Sequence, residues 1–197
     1  MTVQKRFPYP GAIDADGHIL EPPDLWEKYI DPPYRDLAIR IRPNADGLEV
    51  WEIAGRPSKF FKPGQLVQFG AMGKDEAELT PRPDRTYLNS TPFGAMDPKE
   101  RVALLDQEGL EKAVLYPSLG LAWESEEVED IGLQAAYARA YNRWIVDFCS
   151  DSGGRLVPIA HITMGDPQEA VRELVDPMSA ATRQKVLGEN VAQVYGL

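Results

Sequence analysis

The chain has 197 residues, a formal net charge of −10 at pH 7 and a pI near 4.7. Nucleic acids and anionic membranes attract basic patches, so this acidic balance argues against both as partners. The single cysteine excludes an internal disulfide. The sequence contains no run of about 18 apolar residues, so it predicts no membrane-spanning helix. With 43% hydrophobic residues the chain can bury a core, and its single cysteine and lack of a long apolar segment predict a cytoplasmic protein.

The first half of the sequence predicts a strand, a helical turn, a hairpin and a long loop. Residues 12–19, AIDADGHI, have the length and apolar ends of a short strand, and residues 22–30 predict a proline-started helical turn. Residues 38–55 predict a β-hairpin, because two alternating segments flank an Asp-Gly turn. Residues 56–96 show no sustained period, which is typical of a functional or disordered loop.

From Asp97 onward, predicted helices and strands alternate. The first helix has an Asp cap, a proline at its first position and Gly109 at its end, and the strands are continuous apolar runs typical of burial on both faces. This βα repetition predicts a parallel sheet with helices outside. The predicted elements are a helix over 97–109, a strand over 112–118, a helix over 126–150, a strand over 155–162, a helix over 166–174 and two short terminal helices split near Gly188.

The first strand carries the strongest candidates for chemistry. Positions two apart in a strand share a face, so Asp16 and His18 are expected to project together, with Asp14 lower on the same side. Carboxylate and imidazole groups are both ligands of first-row metals. Glu21 follows and could bind metal, support His18 or cap a turn. Against the metal hypothesis, a D-x-H triplet is common by chance, and a catalytic zinc normally needs three protein ligands.

Other candidates lie later in the chain. His161 ends the 155–162 strand and could be a third ligand, although a histidine there more often bonds a nearby backbone group. Cys149 has no histidine near it in sequence and is expected to be an inert buried thiol. The 56–96 segment combines aromatic with basic side chains, which suits an aromatic or unsaturated carboxylate, or equally a loop that folds over its own apolar cluster. Its aromatic and basic residues are Phe60, Phe61, Phe69, Tyr87, Phe93, Arg56, Lys59, Lys62, Arg82 and Arg85, and Arg82, Arg85, Phe60 and Phe61 are the substrate-loop candidates.

Four stretches of the sequence carry a resemblance. They are IDADGHILEPPDLWEKYIDPPYRD, LLDQEGLEKAVLYPSLGL, AYARAYNRWIVDFCSDSGGRLVPIAHITMGDPQEAVREL and TRQKVLGENVAQVYGL. Together they resemble the amidohydrolase-related (amidohydrolase 2) family, which includes aminocarboxymuconate-semialdehyde decarboxylase and many metal-dependent hydrolases. The resemblance implies a distorted (β/α)8 barrel in which Asp16 and His18 bind a divalent metal, Zn²⁺ or alternatively Mn²⁺.

The same resemblance implies further metal ligands that this sequence does not contain. The family takes a histidine from a mid-barrel strand and an aspartate from the last strand, and neither stretch is present. A (β/α)8 barrel also needs about 250 residues. We therefore expect a single α/β domain over 1–197, built as a partial TIM-barrel-like βα repeat with an internal deletion joined near Leu174–Val175. Residues 12–174 would form the N-terminal part of the barrel with 38–96 inserted, and 175–197 the C-terminal helices.

Two hypotheses about function follow. The first is a metal-dependent hydrolase or decarboxylase that acts on a small aromatic or unsaturated carboxylate. The alternative is an inactive remnant or interaction module that lacks the central strands and the remaining metal ligands. In either case the open edges of too few parallel strands predict self-association.

Overall fold

Short strands and helices alternate along the chain. The computed structural model describes residues 8–70, 74–163, 165–168, 170–171 and 179–184. Its strands are β1 (Ile13–His18), β2 (Arg40–Pro43), β3 (Glu49–Ile53), β4 (Arg56–Pro57), β5 (Lys112–Tyr116) and β6 (Leu156–Pro158). Its α-helices are α1 (Leu25–Tyr29), α2 (Glu76–Leu79), α3 (Pro98–Glu108), α4 (Leu119–Ala122), α5 (Ile131–Ser150) and α6 (Ala180–Gln184), with 3-10 helices at Pro32–Leu37, Gln65–Gly70 and Trp123–Glu126.

Three strands form a parallel sheet in the order β1-β5-β6, as the βα repetition predicts. The sheet is covered mainly on one face, where Ala113 and Leu115 are fully buried while Val114 and Tyr116 are only half-buried. The prediction that the β5 run is buried on both faces is therefore wrong for the described residues. The apolar sequence of β5 is typical of a strand that is covered on both faces, as in a closed barrel. The described residues form an open three-stranded sheet, and no closed barrel covers its second face.

The predicted hairpin is confirmed and lies in a separate antiparallel sheet. Strands β2 and β3 pair with Arg42 opposite Val50, and β4 adds a short third strand that the sequence did not predict. The turn is built by Asn44, whose Oδ1 accepts the backbone N–H groups of Asp46 and Leu48. Gly47 has φ of +77°, a left-handed conformation that glycine adopts without strain.

Helix α3 has the ends that its sequence predicts. Asp97 caps it by accepting the backbone N–H groups of Lys99 and Glu100, at 2.8 and 2.9 Å, and Gly109 ends it with φ of +78°. Because an aspartate cap and a left-handed glycine act within a few residues, these bounds follow from local sequence. The amino end of α3 then lies at the carboxyl end of the parallel strands, next to His18.

Helix α5 begins five residues later than predicted. Residues 123–126 form a 3-10 turn and Glu127 has φ of +53°, which interrupts a right-handed helix. Asp130 then caps α5 by accepting the N–H of Leu133 at 3.1 Å. The predicted apolar stripe is confirmed, since all five of its side chains are buried: Tyr137, Tyr141, Trp144, Ile145 and Phe148.

The segment over 56–96 is structured rather than a bare loop. Phe61 packs between Trp51 and Phe69, with 5.4 Å between ring centroids in each pair, and Leu66 and Tyr87 are buried beside them. The segment therefore folds over an apolar cluster, which is the second of the two alternatives that its composition allows.

The chain divides into two compact units, one up to His161 and one from Ile162 onward. In the second unit, α6 agrees with a predicted C-terminal helix, whereas the predicted junction near Leu174–Val175 and the rest of 185–197 lie outside the described residues. A search of the described helices finds none with the length and hydropathy that a bilayer crossing requires.

Candidate functional site

His18 is the last residue of β1, and a hydrogen bond fixes its imidazole ring. Its Nδ1 lies 3.1 Å from the carbonyl oxygen of Pro117 and 3.3 Å from Ser118 Oγ. A carbonyl oxygen can only accept a hydrogen bond, so His18 Nδ1 carries the proton and donates a hydrogen bond to the carbonyl oxygen of Pro117. The lone pair of the neutral ring is then on Nε2, which is the atom left to bind a metal or accept a proton.

A β-bulge changes the positions of the two aspartates on this strand. Asp14 is opposite Ala113 and Gly17 is opposite Leu115, so β1 uses one residue more than β5 between these two pairs. Asp14 therefore shares the face of Gly17, and its Oδ2 lies 2.8 Å from where a Gly17 Cβ would be. The expectation that Asp14 lies on the same side as His18 is wrong, because the bulge shifts the alternation by one residue.

Asp16 lies within the bulge and its side chain is exposed. Its backbone N–H donates to Asp14 Oδ1 at 3.1 Å. Asp14 is thereby occupied in holding the bulge, while the Asp16 carboxylate stays open to solvent next to the carboxyl end of the sheet.

Glu21 is fully buried and holds the turn after β5. Its carboxylate accepts three backbone N–H groups, those of Ser118, Leu119 and Gly120, each at 2.9 Å. Burial raises the pKa of Glu21 to about 7, against the lowering effect of these hydrogen bonds. Gly120 is required by this contact, because a Cβ there would lie 2.8 Å from Glu21 Oε1. The sequence allowed Glu21 to bind metal, support His18 or cap a turn. Its hydrogen bonds in the structure are those of a residue that caps a turn.

His161 is buried and already paired. Its Nε2 lies 2.9 Å from Glu124 Oε1, its backbone N–H donates to Asn142 Oδ1 at 2.7 Å, and its ring lies against Trp123 at 5.3 Å between centroids. These contacts anchor the end of the β6 segment against α5. Cys149 is a buried free thiol whose pKa burial raises to about 11, which agrees with an inert role.

The substrate-loop candidates have partners of their own. Arg82 forms an exposed ion pair with Asp84 at 2.6 Å, and Arg85 donates to the carbonyl oxygens of Ala77 and Thr80. Phe60 is exposed, and Phe61 belongs to the apolar cluster with Trp51. None of the four side chains Arg82, Arg85, Phe60 and Phe61 lines the cavity beside His18.

That cavity has a volume of about 550 Å³ and lies at the carboxyl end of β1 and β5. This is the end of the strands at which open and closed parallel sheets bind their ligands. Its polar wall consists of His18, Gln68, Arg101 and Ser118, and its apolar wall of Leu20, Phe69, Pro92, Phe93, Ala95, Leu104, Pro117 and Leu121.

Sequence reasoning missed Arg101 and Ser118. Arg101 lies in the first turn of α3, and its Nη2 donates to the carbonyl oxygen of His18 at 2.8 Å. A helix that precedes a parallel strand begins near the carboxyl ends of the neighbouring strands. A basic residue in the first turn of α3 was thus a usable signal, because it runs against the macrodipole preference for acids at that position.

Asp16 and His18 carry side-chain groups of the kinds that bind divalent metals. Asp16 offers an open carboxylate and His18 a free Nε2, both suitable donors for Zn²⁺ or Mn²⁺. Within the described residues, no group of three or more His, Cys, Asp or Glu side chains could hold a metal ion. Asp16 and His18 together supply at most two donors, one fewer than a catalytic zinc normally takes from its protein.

No protein-family model matches the sequence, and a search of curated proteins gives no match. Among solved structures, the chain is similar to an amidohydrolase from Mycobacterium avium subsp. paratuberculosis K-10, with 23% sequence identity and a TM-score of 0.63. The likeness covers 85% of this chain and 46% of that one, so the chain spans about half the length of that amidohydrolase. What the likeness shows is the fold: over most of its length the chain has an amidohydrolase-like fold.

Proposed function

We propose that the chain is a metal-dependent hydrolase or decarboxylase that acts on a small carboxylate, with Asp16 and His18 as metal ligands. The observation that carries the proposal is the hydrogen bond from His18 Nδ1 to Pro117, which leaves Nε2 as a fixed electron-pair donor at the carboxyl end of the sheet. The amidohydrolase-like fold supports the same reading.

A divalent ion at these residues, Zn²⁺ or alternatively Mn²⁺, would act as a Lewis acid toward water or a substrate carboxylate. The protein's own part is to orient the donors. Pro117 fixes the tautomer and direction of the His18 ring, Arg101 holds the His18 carbonyl, and Asp14 holds the bulge that carries Asp16. Each of these contacts limits the freedom of a donor before any ion arrives.

The metal proposal is tested by zinc titration of the purified chain, monitored by calorimetry, with elemental analysis after dialysis. With two protein donors, we expect weak binding that dialysis removes. His18→Ala and Asp16→Asn should weaken binding at least about tenfold, since each removes a ligand. Asp46→Asn is the matched control, because it removes an exposed carboxylate in the β2–β3 turn. Wild-type binding no tighter than that of His18→Ala would refute the proposed site.

Activity is tested with excess Zn²⁺ or Mn²⁺, by following amide hydrolysis and CO₂ release from aromatic carboxylates. Turnover that is lost in the His18→Ala variant and on addition of a chelator would support the proposed metal-dependent activity. Dialysis-resistant zinc near one ion per chain that disappears in His18→Ala would instead reveal a complete site with further ligands.

A second candidate is an inactive remnant or interaction module. The observation that favours it is that the described residues hold no group of three donors. It predicts no turnover under any metal, together with stable self-association. Metal-dependent turnover lost in His18→Ala would exclude it.

A further inference from the structure

Arg101 is a half-buried cation that forms no ion pair with a described residue. Within the described residues, no carboxylate lies within 4.0 Å of its guanidinium, and its Nε is buried without a hydrogen-bond partner. Its hydrogen bond goes to a neutral acceptor, the carbonyl oxygen of His18. Burial lowers the pKa of Arg101, while the more distant Asp14 and Glu108 raise it, yet an arginine keeps its proton throughout. A guanidinium held in this way is a site for an anion.

Apart from Arg101, His18, Gln68 and Ser118, the residues that line the cavity are apolar, and two of them are aromatic. Phe69 and Phe93 come from the 56–96 segment, Leu104 from the same helix as Arg101, and Leu121 from α4. Phe93 and Leu121 are exposed although they line the cavity, so both present apolar surface that nothing in the described chain covers. Cavities of a few hundred Å³ with apolar walls and few polar groups are typical small-molecule sites.

We propose that this cavity binds an aromatic monocarboxylate, whose carboxylate pairs with Arg101 and whose ring packs against Phe69, Phe93 and Leu104. The proposal deepens the proposed function, because it names the substrate class and the residue that recognises it at the same site. Binding itself requires no metal ion, since Arg101 supplies the charge.

The local charges favour a monoanion over a dianion such as a phosphate monoester. Asp14 and Glu108 are near enough to influence the pKa of Arg101, so they would repel a second negative charge. A dianion would also lose more solvation than a carboxylate on entering an apolar cavity. Phenyl phosphate is therefore expected to bind less tightly than an aromatic carboxylate of the same size.

The first test uses the intact, metal-free chain, prepared with EDTA. trans-Cinnamate and cinnamyl alcohol share a ring and a spacer but differ in charge. We expect cinnamate to bind at least about tenfold more tightly by calorimetry at pH 7.5. Amide chemical-shift changes in ¹⁵N spectra should centre on Phe93, Leu104 and Leu121. Equal affinity for the two ligands, no binding at millimolar concentration, or shifts centred on the Arg82–Arg85 segment would each overturn the proposal.

The second test separates the charge from the apolar wall. Arg101→Met should weaken cinnamate binding at least about tenfold and leave cinnamyl alcohol binding unchanged, whereas Arg101→Lys should retain part of the cinnamate affinity. Phe93→Ala removes an exposed ring, so folding is preserved, and it should weaken both ligands several-fold. Arg82→Met is the matched control, because it removes a surface charge already paired with Asp84. Unchanged cinnamate affinity in a folded Arg101→Met would refute recognition by Arg101.

A third variant distinguishes this proposal from the metal site. Asp16→Asn removes a proposed metal ligand that does not line the cavity. Metal-free Asp16→Asn should bind cinnamate as the wild type does, even though its zinc affinity falls. Loss of cinnamate binding in this variant would mean that the carboxylate site depends on Asp16, against the proposal. Failure of zinc binding alone leaves the cavity proposal standing.

Discussion

At the scale of single residues, Glu21 shows burial and hydrogen bonding acting in opposite directions. Desolvation disfavours the charged carboxylate, whereas three backbone N–H donors favour it. Desolvation is the larger effect, so the folded-state pKa of Glu21 lies above its unfolded value of 4.5. The folded state therefore binds more protons than the unfolded state between the two pKa values.

This difference predicts a pH dependence of stability. The contribution of Glu21 is greatest below its unfolded pKa and is lost as pH rises from 4.5 toward about 7, a loss of about 3 kcal/mol. Urea unfolding at several pH values should show this decline in the wild type and a flatter profile in Glu21→Gln. Burial also raises the pKa of Glu49, so part of the decline in stability with rising pH should remain in Glu21→Gln. Parallel profiles for wild type and Glu21→Gln would contradict the assignment.

At the scale of elements, Glu126 joins the hairpin sheet to the turn before α5. Its buried carboxylate accepts from Ser58 Oγ and from the backbone N–H of Lys59 at 2.9 Å, and Arg56 bonds both its carboxylate and its carbonyl oxygen. These contacts bring together segments about 70 positions apart. Because the Glu126 side chain is fully buried, its acceptors have no water to replace a lost partner.

Glu126→Gln is therefore expected to lower the free energy of unfolding by about 2 kcal/mol, since an amide nitrogen replaces an oxygen that accepts hydrogen bonds. The neighbouring variant Glu127→Gln is the matched control, because Glu127 is exposed and its ion pair is with an exposed Lys59. Urea midpoints should fall clearly for the first variant and little for the second. Equal effects of the two substitutions would argue against the buried network.

At the scale of the whole molecule, the parallel sheet ends in two edges within the described residues, β1 and β6. Ile13 on β1 and Val157 on β6 expose apolar surface at these edges. Unpaired backbone groups beside exposed apolar side chains favour pairing with another chain. Self-association is accordingly proposed for the isolated chain.

Light scattering over a range of concentrations checks this proposal. We expect the weight-average mass to rise with concentration above the 22.0 kDa of one chain. The double variant Ile13→Lys, Val157→Lys should reduce that rise, because charged edge residues oppose strand pairing. Val146→Lys is the control, since Val146 is exposed on helix α5 and belongs to neither edge strand. A monomer at all concentrations, with one sharp thermal transition, would contradict the proposal.

Local sequence was sufficient where a structure depends on neighbours a few positions apart. Asp97, Pro98 and Gly109 determine both ends of α3, and Asn44 with Gly47 determines the hairpin turn. The 3.6-residue period identified the buried face of α5, although not its start, because the left-handed Glu127 has no strong sequence signal. The ends of α3, the hairpin turn and the buried face of α5 all depend on residues within a few positions of one another, so local sequence was enough to predict them.

The chemistry of the site depended on contacts between distant parts of the chain. His18 could be recognised from its spacing to Asp16, but its tautomer depends on Pro117, 99 positions away, and Arg101 reaches it from 83 positions away. The three N–H groups that occupy Glu21 are likewise about 100 positions distant. The bulge that separates Asp14 from His18 arises from pairing with β5. The sequence by itself determined which donors are available, whereas the tertiary structure decided which of them are free, because packing of remote segments uses some donors and leaves others open.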